Sequence, residues 1–188
     1  MPKSFLNNPN VARGLRNNNP GNLIVTTIAW QGKIPLSKNT DQNKRFEQFE
    51  NVHFGIRAML KDLITDINKG KNTLTLLITE YAPPSENDTK AYINSVAKTL
   101  GVTPTQRLTA INSKFLLNLV RAILKVELGK DHSLVTDSDI VKSITMLGDV
   151  STANLKVTID RFALAKQYVI PALITIGLFF YSYVTITI

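Results

Sequence analysis

Carboxylates are the side chains of this chain that could carry out chemistry. The sequence has no cysteine, and its two histidines, His53 and His132, lack the spacing of a zinc-binding motif, so neither thiolate nor zinc chemistry is predicted. It also contains no nucleophile elbow and no phosphate-binding loop. These exclusions leave acid–base chemistry by aspartate and glutamate, with no metal and no cofactor.

Glu127 differs from the other acidic residues in its place in the sequence. It follows Ile123 by four residues and Leu124 by three, near the end of the most apolar predicted helix, residues 113–128, so it should face the buried side. Burial and the negative end of the helix dipole both raise the pKa of a carboxyl group there. A carboxyl that keeps its proton in a partly apolar cleft is what glycosidic bond cleavage requires as general acid. The alternative is an ordinary solvated charge at a fraying helix end.

Amide side chains are concentrated in residues 13–23, whose sequence is RGLRNNNPGNL. Consecutive asparagines disfavour a helix because their side chains compete for backbone hydrogen bonds, and the Pro-Gly pair that follows favours a turn. Amides donate and accept hydrogen bonds, which suits a ligand with hydroxyl and acetamido groups; a surface turn is the alternative. No carboxylate precedes Asp41, so an acid acting beside this loop must come from elsewhere, and Glu127 is the predicted partner.

The elements that must position these residues are mostly helices. Apolar residues recur every three or four positions in stretches that end at glycine or proline and begin at a capping residue, which is Asn51, Thr73, and Ser85 or Asp88 for the first three. Between residues 23 and 49, β-branched and alternating residues instead predict two short strands and a small β lobe. A weaker pattern that begins at Asp137 or Asp139 predicts a short helix through Leu147. The predicted fold class is α+β and mainly α, with the main helices at residues 51–70, 73–82, 85–101 and 113–128.

Composition and the end of the sequence predict contact with a membrane. The net charge of +8 is spread along the chain without a long basic run, which suits polyanions in general and predicts no specific nucleic-acid binding. The segment from Tyr168 to Ile188 has no charged residue and would span about 30 Å as a helix, the thickness of the hydrocarbon layer. The prediction is one C-terminal transmembrane helix at residues 167–188, with a buried helix or a strand pair as the alternative.

Several motifs, taken in order along residues 15–129, resemble one known family. They are RGLRNNNPGNL, then W-x-G at residues 30–32, F-x-x-F at 46–49, GIRA at 55–58 and YAPPSENDT-x-x-YI at 81–93. Together they resemble the lysozyme-like, lytic-transglycosylase-type domain of bacteriophage virion structural proteins. The His-Glu-Asn-Gly stretch typical of that family near the end of the domain appears here as Val126-Glu127-Leu128-Gly129.

The resemblance implies a lysozyme-like domain at residues 1–130. The weaker residue pattern that follows predicts a connector at residues 131–166. In ordinary lytic transglycosylases the helix with the acid precedes the sheet lobe and its asparagine-rich loop, whereas here the loop comes first. The hypothesis is therefore a circularly permuted lysozyme-like fold in which Glu127 meets the loop across one cleft. Termini that lie close together make such permutation tolerable.

The resemblance also implies an activity, which is cleavage of the β-1,4 bond between N-acetylmuramic acid and N-acetylglucosamine in peptidoglycan. Glu127 would protonate the leaving oxygen and then take a proton from the muramoyl 6-hydroxyl, which gives an anhydro product. Because no second acid stands out in the sequence, this lytic transglycosylase route is favoured over hydrolysis, which normally needs two carboxylates.

The resemblance further assigns candidate residues to the site. Glu86 is the alternative acid, since it lies in one of the matching stretches, although its position also suits the start of a helix. A packing role is the alternative interpretation of Trp30. The predicted substrate-binding residues are Arg16, Asn18, Asn19, Asn22, Trp30 and Tyr92.

The predicted partners are peptidoglycan strands, a lipid membrane through residues 167–188, and capsid or other membrane proteins of a virion. The predicted location is the virion membrane, where such a domain would open the cell wall during genome delivery; the host membrane is the alternative. Two other classes remain open. One is an inactive structural protein that binds cell wall or capsid, which the apolar Val126 and Leu128 favour. The other is an adaptor that acts through its positive charge.

Overall fold

The computed structural model of the chain describes residues 2–148 and 156–158. Helices dominate this part of the chain, as the sequence predicts, and one pair of short parallel strands accompanies them. The strands are β1 Ala110–Asn112 and β2 Lys156–Thr158, with Ile111 opposite Val157. Short 3₁₀-helices span Leu36–Lys38, Gln42–Lys44 and Gly129–Leu134. The α-helices are α1 Arg13–Arg16, α2 Val52–Asn68, α3 Leu74–Tyr81, α4 Thr89–Leu100, α5 Ser113–Leu128 and α6 Asp137–Thr145.

Side-chain caps determine where the main helices begin. Asn51 accepts hydrogen bonds from two backbone N–H groups in the first turn of α2, and Thr73 and Asp88 cap α3 and α4 in the same way. Each cap satisfies N–H groups that have no partner within the helix. These capping residues are among those that the sequence predicts.

The core lies around α2 and α5, the longest helices of the described part. The apolar side chains of α5 are buried along most of its length, including Leu116, Leu119, Val120 and Ile123. Helices α1, α4 and α6 pack against α5, while α3 and α6 pack against α2. Because α5 packs against other helices on several sides, this packing fixes the position of its last turn, which contains Glu127.

The predicted β lobe is not a regular sheet. Residues 23–49 contain only two isolated antiparallel bridges, Ile24 with Phe46 and Lys33 with Phe49. Buried polar side chains hold the segment instead, and positive φ angles at Asn22 and Asn43 interrupt extended backbone. The expectation of two strands was therefore wrong. Cross-strand backbone hydrogen bonds form only around the two bridges, as from the Val25 N–H to the Arg45 carbonyl and from the Ile34 N–H to the Gln48 carbonyl, and side-chain hydrogen bonds supplement them.

Residues 131–148, which the sequence assigns to a connector, pack against the helical core. Ile140 and Ile144 of α6 are buried, and the helix lies against α2 and α5. Thr136 is the N-cap of α6, in place of the predicted Asp137 or Asp139, and Asp139 reaches back to the Thr136 N–H to complete a capping box. The rest of the predicted connector, apart from residues 156–158, lies outside the described residues.

No helix within residues 2–148 or 156–158 has both the length and the apolar character needed to cross a membrane. The predicted transmembrane helix at residues 167–188 lies outside the described residues.

Candidate active site

A cavity of about 500 Å³ lies between the end of the asparagine-rich loop and helices α2, α3 and α5. Its loop side is formed by residues 21–24, by Thr26, Ile28 and Trp30, and by residues 45–46, and the helical side comes from α2, α3 and the turn that follows α3. Glu127 enters from the last turn of α5. The acidic side chains that line the cavity are Asp62, Asp66, Glu80, Glu86 and Glu127.

Glu127 is held by two hydrogen-bond donors from distant parts of the chain. Its Oε2 atom accepts a hydrogen bond from Asn22 Nδ2 at 2.7 Å, and its Oε1 atom accepts one from the Tyr92 hydroxyl at 2.9 Å. Burial raises the pKa of Glu127, and the bonds from Asn22 and Tyr92 lower it only in part, so the net shift is upward. This carboxyl is both oriented and biased towards its protonated form.

Tyr92 and Tyr81 are both hydrogen-bond donors at this site. Burial raises the pKa of Tyr92, and the neighbouring Tyr81 and Glu127 raise it further. The pKa of Tyr81 is likewise raised well above its ordinary value, chiefly by burial. Its hydroxyl donates to the carbonyl oxygen of Gly21. Both phenols therefore remain neutral at physiological pH and donate to Glu127 and to the loop, respectively.

The hypothesis required Glu127 to lie against the asparagine-rich loop, and the structure places it there through Asn22. Asn22 has a positive φ of 51°, a conformation that asparagine tolerates better than most residues. The loop backbone before it is closed by a hydrogen bond from Asn22 N–H to the Asn19 carbonyl at 2.9 Å. The turn chemistry predicted from the sequence thus presents one amide to the acid.

The other asparagines of the loop are structural. Asn18 and Asn19 are fully buried, and neither lines the cavity. Asn18 Nδ2 donates to the Phe49 carbonyl, while Asn19 Nδ2 donates to the carbonyls of Leu23 and Glu47. These side chains bind backbone groups of residues 23–49, one of which, the Leu23 carbonyl, also accepts the Glu47 N–H, so the structure places them in the packing of the loop and away from the cavity lining.

Two further residues, Arg16 and Trp30, were predicted to contact the substrate. Trp30 lines the cavity, whereas Arg16 does not. The Trp30 Nε1 atom is buried without a hydrogen-bond partner among the described residues. Glu86 lines the exposed rim of the cavity, where Arg45 donates to its carboxylate. Of the two candidate acids, Glu127 alone is partly buried and held by neutral donors.

Close backbone contact brings the loop onto α2. A Cβ atom added to Gly55 would lie 1.9 Å from the Asn18 carbonyl oxygen, so only glycine allows the loop to approach the helix at this point. A Cβ atom on Gly21 would lie 2.5 Å from both the Tyr81 hydroxyl and the Met59 sulfur. Two glycines of the recognised motifs are therefore explained by packing between loop and helices.

Sequence reasoning missed Asp62 and undervalued Tyr81. Both line the cavity, and Asp62 lies on α2 three residues after the buried Met59. The available signal was the helical spacing that places Asp62 beside the buried face, but an acidic residue at that edge is usually solvated. Among residues 2–148 and 156–158, no group of three or more acidic, histidine or cysteine side chains is placed to hold a metal ion.

This fold and site define a mainly helical protein with a carboxylate cleft at the end of its central helix. The chain is 35% identical to protein P5 of Pseudoalteromonas phage PM2 over 124 residues, which cover 64% of this chain and 73% of that protein. It belongs to the same family of bacteriophage proteins as P5. No protein-family model matches the chain.

Proposed function

We propose that this chain cleaves the glycan strands of peptidoglycan at the β-1,4 bond between N-acetylmuramic acid and N-acetylglucosamine. The observation that carries the proposal is Glu127, a partly buried carboxyl with a raised pKa that faces a cavity of about 500 Å³. That volume lies in the range of sites that hold small ligands or parts of larger ones.

Glu127 is the general acid of the proposed reaction. In its protonated form it donates its proton to the glycosidic oxygen as the bond to the anomeric carbon breaks. Asn22 and Tyr92 donate to both carboxylate oxygens, which stabilises the anion left after proton transfer. Lytic transglycosylases and hydrolases share this first step and differ in the nucleophile that follows. The lytic transglycosylase route, with the muramoyl 6-hydroxyl as nucleophile, is the one implied by the family resemblance.

The biological setting follows from the family and the sequence. Because the chain belongs to a bacteriophage protein family, we propose that it is carried in a virion and opens the cell wall during genome delivery. Residues 167–188 would anchor it in a membrane, of the virion or of the host, beside capsid or other membrane proteins. Its positive charge would favour the anionic cell wall and lipid headgroups.

A zymogram containing purified peptidoglycan tests the activity with the full chain in detergent. The wild type should clear the gel, and Glu127→Gln should reduce the rate by about 100-fold or more, the usual contribution of a general acid. Glu86→Gln is the matched control, since Glu86 lines the same cavity at its exposed rim; it should keep most of the activity. Equal clearing by wild type and Glu127→Gln would overturn the assignment of the acid.

An inactive wall-binding protein is the second candidate. Leu128, which stands where the resembling family has a polar residue, is buried against α1 near Gly14, and Val126 is 39% exposed. The polar neighbours of the acid in that family are thus absent here. Co-sedimentation with peptidoglycan in the absence of any clearing would favour this function over catalysis.

A further inference from the structure

One carboxylate in the cavity differs from its neighbours in having no donor. Asp62 receives no hydrogen bond from any of residues 2–148 or 156–158, whereas the other acidic side chains of the cavity are held. A carboxylate oxygen without a protein donor is available to a water molecule or a substrate hydroxyl. The held carboxylates and their partners are Glu127 with Asn22 and Tyr92, Glu86 with Arg45, and Asp66 and Glu80 with Lys71.

The surroundings of Asp62 favour a group that can accept a proton. Burial raises the pKa of Asp62, and the negative charge of Asp66 raises it further. Lys69 and Lys71 lower it, and Glu80 raises it again, with a net upward shift. A base works best when its pKa approaches the working pH. Asp62 is therefore better suited to proton transfer than an exposed aspartate on the surface of the domain.

Tyr81 connects this carboxylate to the general acid. After burial, the charges of Glu127 and Asp62 are the two causes that raise the pKa of Tyr81. Asp62, Tyr81 and Glu127 all line the same cavity. The Tyr81 hydroxyl is already engaged with the Gly21 carbonyl. Glu127 from α5 and Asp62 from α2 thus face one cavity beside a side chain that binds neither.

We propose that Asp62 is the second carboxylate of the reaction and that the chain cleaves the glycan by hydrolysis. This inference rests on the proposed function and names its nucleophile as water. The oxygen of water forms a bond to the anomeric carbon of N-acetylmuramic acid while the bond from that carbon to the glycosidic oxygen breaks. Asp62 takes a proton from the water, and Glu127 gives its proton to the leaving oxygen. One water molecule is consumed, and no anhydro ring forms.

The charge of Asp62 lowers the stability of the folded state, which a purely structural role would not explain. Asp62 and Asp66 are four residues apart on α2, so their charges lie on the same face and repel each other. Replacing Asp62 by asparagine removes this repulsion and breaks no hydrogen bond within the described part. The variant should therefore fold with a melting temperature at least equal to that of the wild type, while losing activity.

Mass spectrometry of the products released from purified peptidoglycan tests the proposal with the full chain. Hydrolysis adds one water to each cut, so its products are heavier by one water than the anhydro products of a transglycosylase. The wild type should release hydrolysed products, and Asp62→Asn should cut about 100-fold more slowly. Glu50→Gln is the matched control, because Glu50 is exposed and does not line the cavity; its rate should stay within about threefold of wild type.

The pH profile adds a readout that a structural role would not move. Deprotonated Asp62 is required, so the wild-type rate should fall as the pH drops below the pKa of Asp62, and this acidic limb should be absent from the residual activity of Asp62→Asn. Anhydro products from the wild type, or full activity of Asp62→Asn, would overturn the role of Asp62 and leave the proposed function standing. Absence of any cleavage by the wild type would overturn both.

Discussion

Asn22 and Glu127 are 105 positions apart in the sequence, and a 2.7 Å hydrogen bond joins Nδ2 of Asn22 to Oε2 of Glu127. The bond links the last asparagine of the amide-rich segment to the last turn of the central helix. Burial of α5 holds one partner, and the left-handed backbone at Asn22 holds the other. A change in either element should therefore affect the hydrogen bonding of Glu127.

The charge of Glu127 should lower the stability of the fold. Between the ordinary pKa of a glutamate and the raised pKa of Glu127, the folded state holds a proton that the unfolded chain has released. The free energy of unfolding should then fall as pH rises through this range. Glu127→Gln lacks this fall and should be more stable at pH 8, by about 0.5–2 kcal/mol. Urea denaturation at pH 5 and pH 8 measures both quantities; identical pH dependence in the two proteins would contradict the expected shift.

Tyr92 should set the upper pH limit of the activity. Its hydroxyl stabilises the ionised form of Glu127 and so lowers the pKa of that carboxyl. Tyr92→Phe removes the donor without changing the ring, so the pKa of Glu127 should rise and the basic limb of the rate profile should move to higher pH. Rates of peptidoglycan cleavage between pH 5 and pH 9 provide the measurement. A basic limb that stays in place or moves to lower pH would argue against this role.

Asn19 should contribute to stability and have no direct contact with substrate. Its amide binds the carbonyls of Leu23 and Glu47 and the N–H of Leu23. Asn19→Ala leaves the buried Glu47 carbonyl and the Leu23 N–H unpaired, while the Leu23 carbonyl keeps the Glu47 N–H; the loss should be on the order of 3 kcal/mol. Thermal unfolding followed by circular dichroism measures the loss. Asn94→Ala, at an exposed position of α4, is the control and should shift the melting temperature little. An Asn19→Ala variant of normal stability with weakened glycan binding would restore the sequence-based assignment.

Gly55 should not accept even one additional methyl group. In a helix interior, alanine is favoured over glycine by about 1 kcal/mol. At Gly55 the new carbon would lie 1.9 Å from the Asn18 carbonyl oxygen, and the resulting displacement should outweigh that gain, with a net loss of about 1–3 kcal/mol. Guanidinium denaturation of Gly55→Ala, compared with Lys61→Ala on the exposed face of α2, measures the difference. A stabilised Gly55→Ala would show that the loop does not contact the helix this closely.

Asp41 should make the loop sensitive to acid. Burial raises the pKa of Asp41, but hydrogen bonds from Arg13 and Asn17 outweigh it and hold the pKa below its usual value. The stabilisation is present above the ordinary aspartate pKa and is lost as pH falls through the lowered one. Asp41→Asn should lose about 1–3 kcal/mol at pH 7 and show a smaller further loss on acidification. Denaturation at pH 7 and pH 3 compares the two, and equal losses on acidification would contradict the ion pair's role.

Local patterns were sufficient to predict the helices and most of their caps. Apolar periodicity, capping residues such as Asn51 and Thr73, and terminating glycines act within a few residues of one another, so they can be read without knowledge of the fold. The partial burial of Glu127 was also predictable, because this residue lies near the end of an apolar helix. The irregular conformation of residues 23–49 was not, since its short backbone pairings are supplemented by side chains from other segments, such as Asn19.

The sequence by itself determined a mainly helical domain, a turn rich in amides, and one carboxyl, Glu127, whose position predicts a raised pKa. The tertiary structure decided which amide meets that carboxyl. It turned Asn18 and Asn19 into supports for the backbone and left Asn22 to bind Glu127. It also brought Asp62 to the same cavity. The physical reason is that hydrogen bonding and burial depend on neighbours distant in the chain, whereas helix periodicity and turn preference depend on adjacent residues.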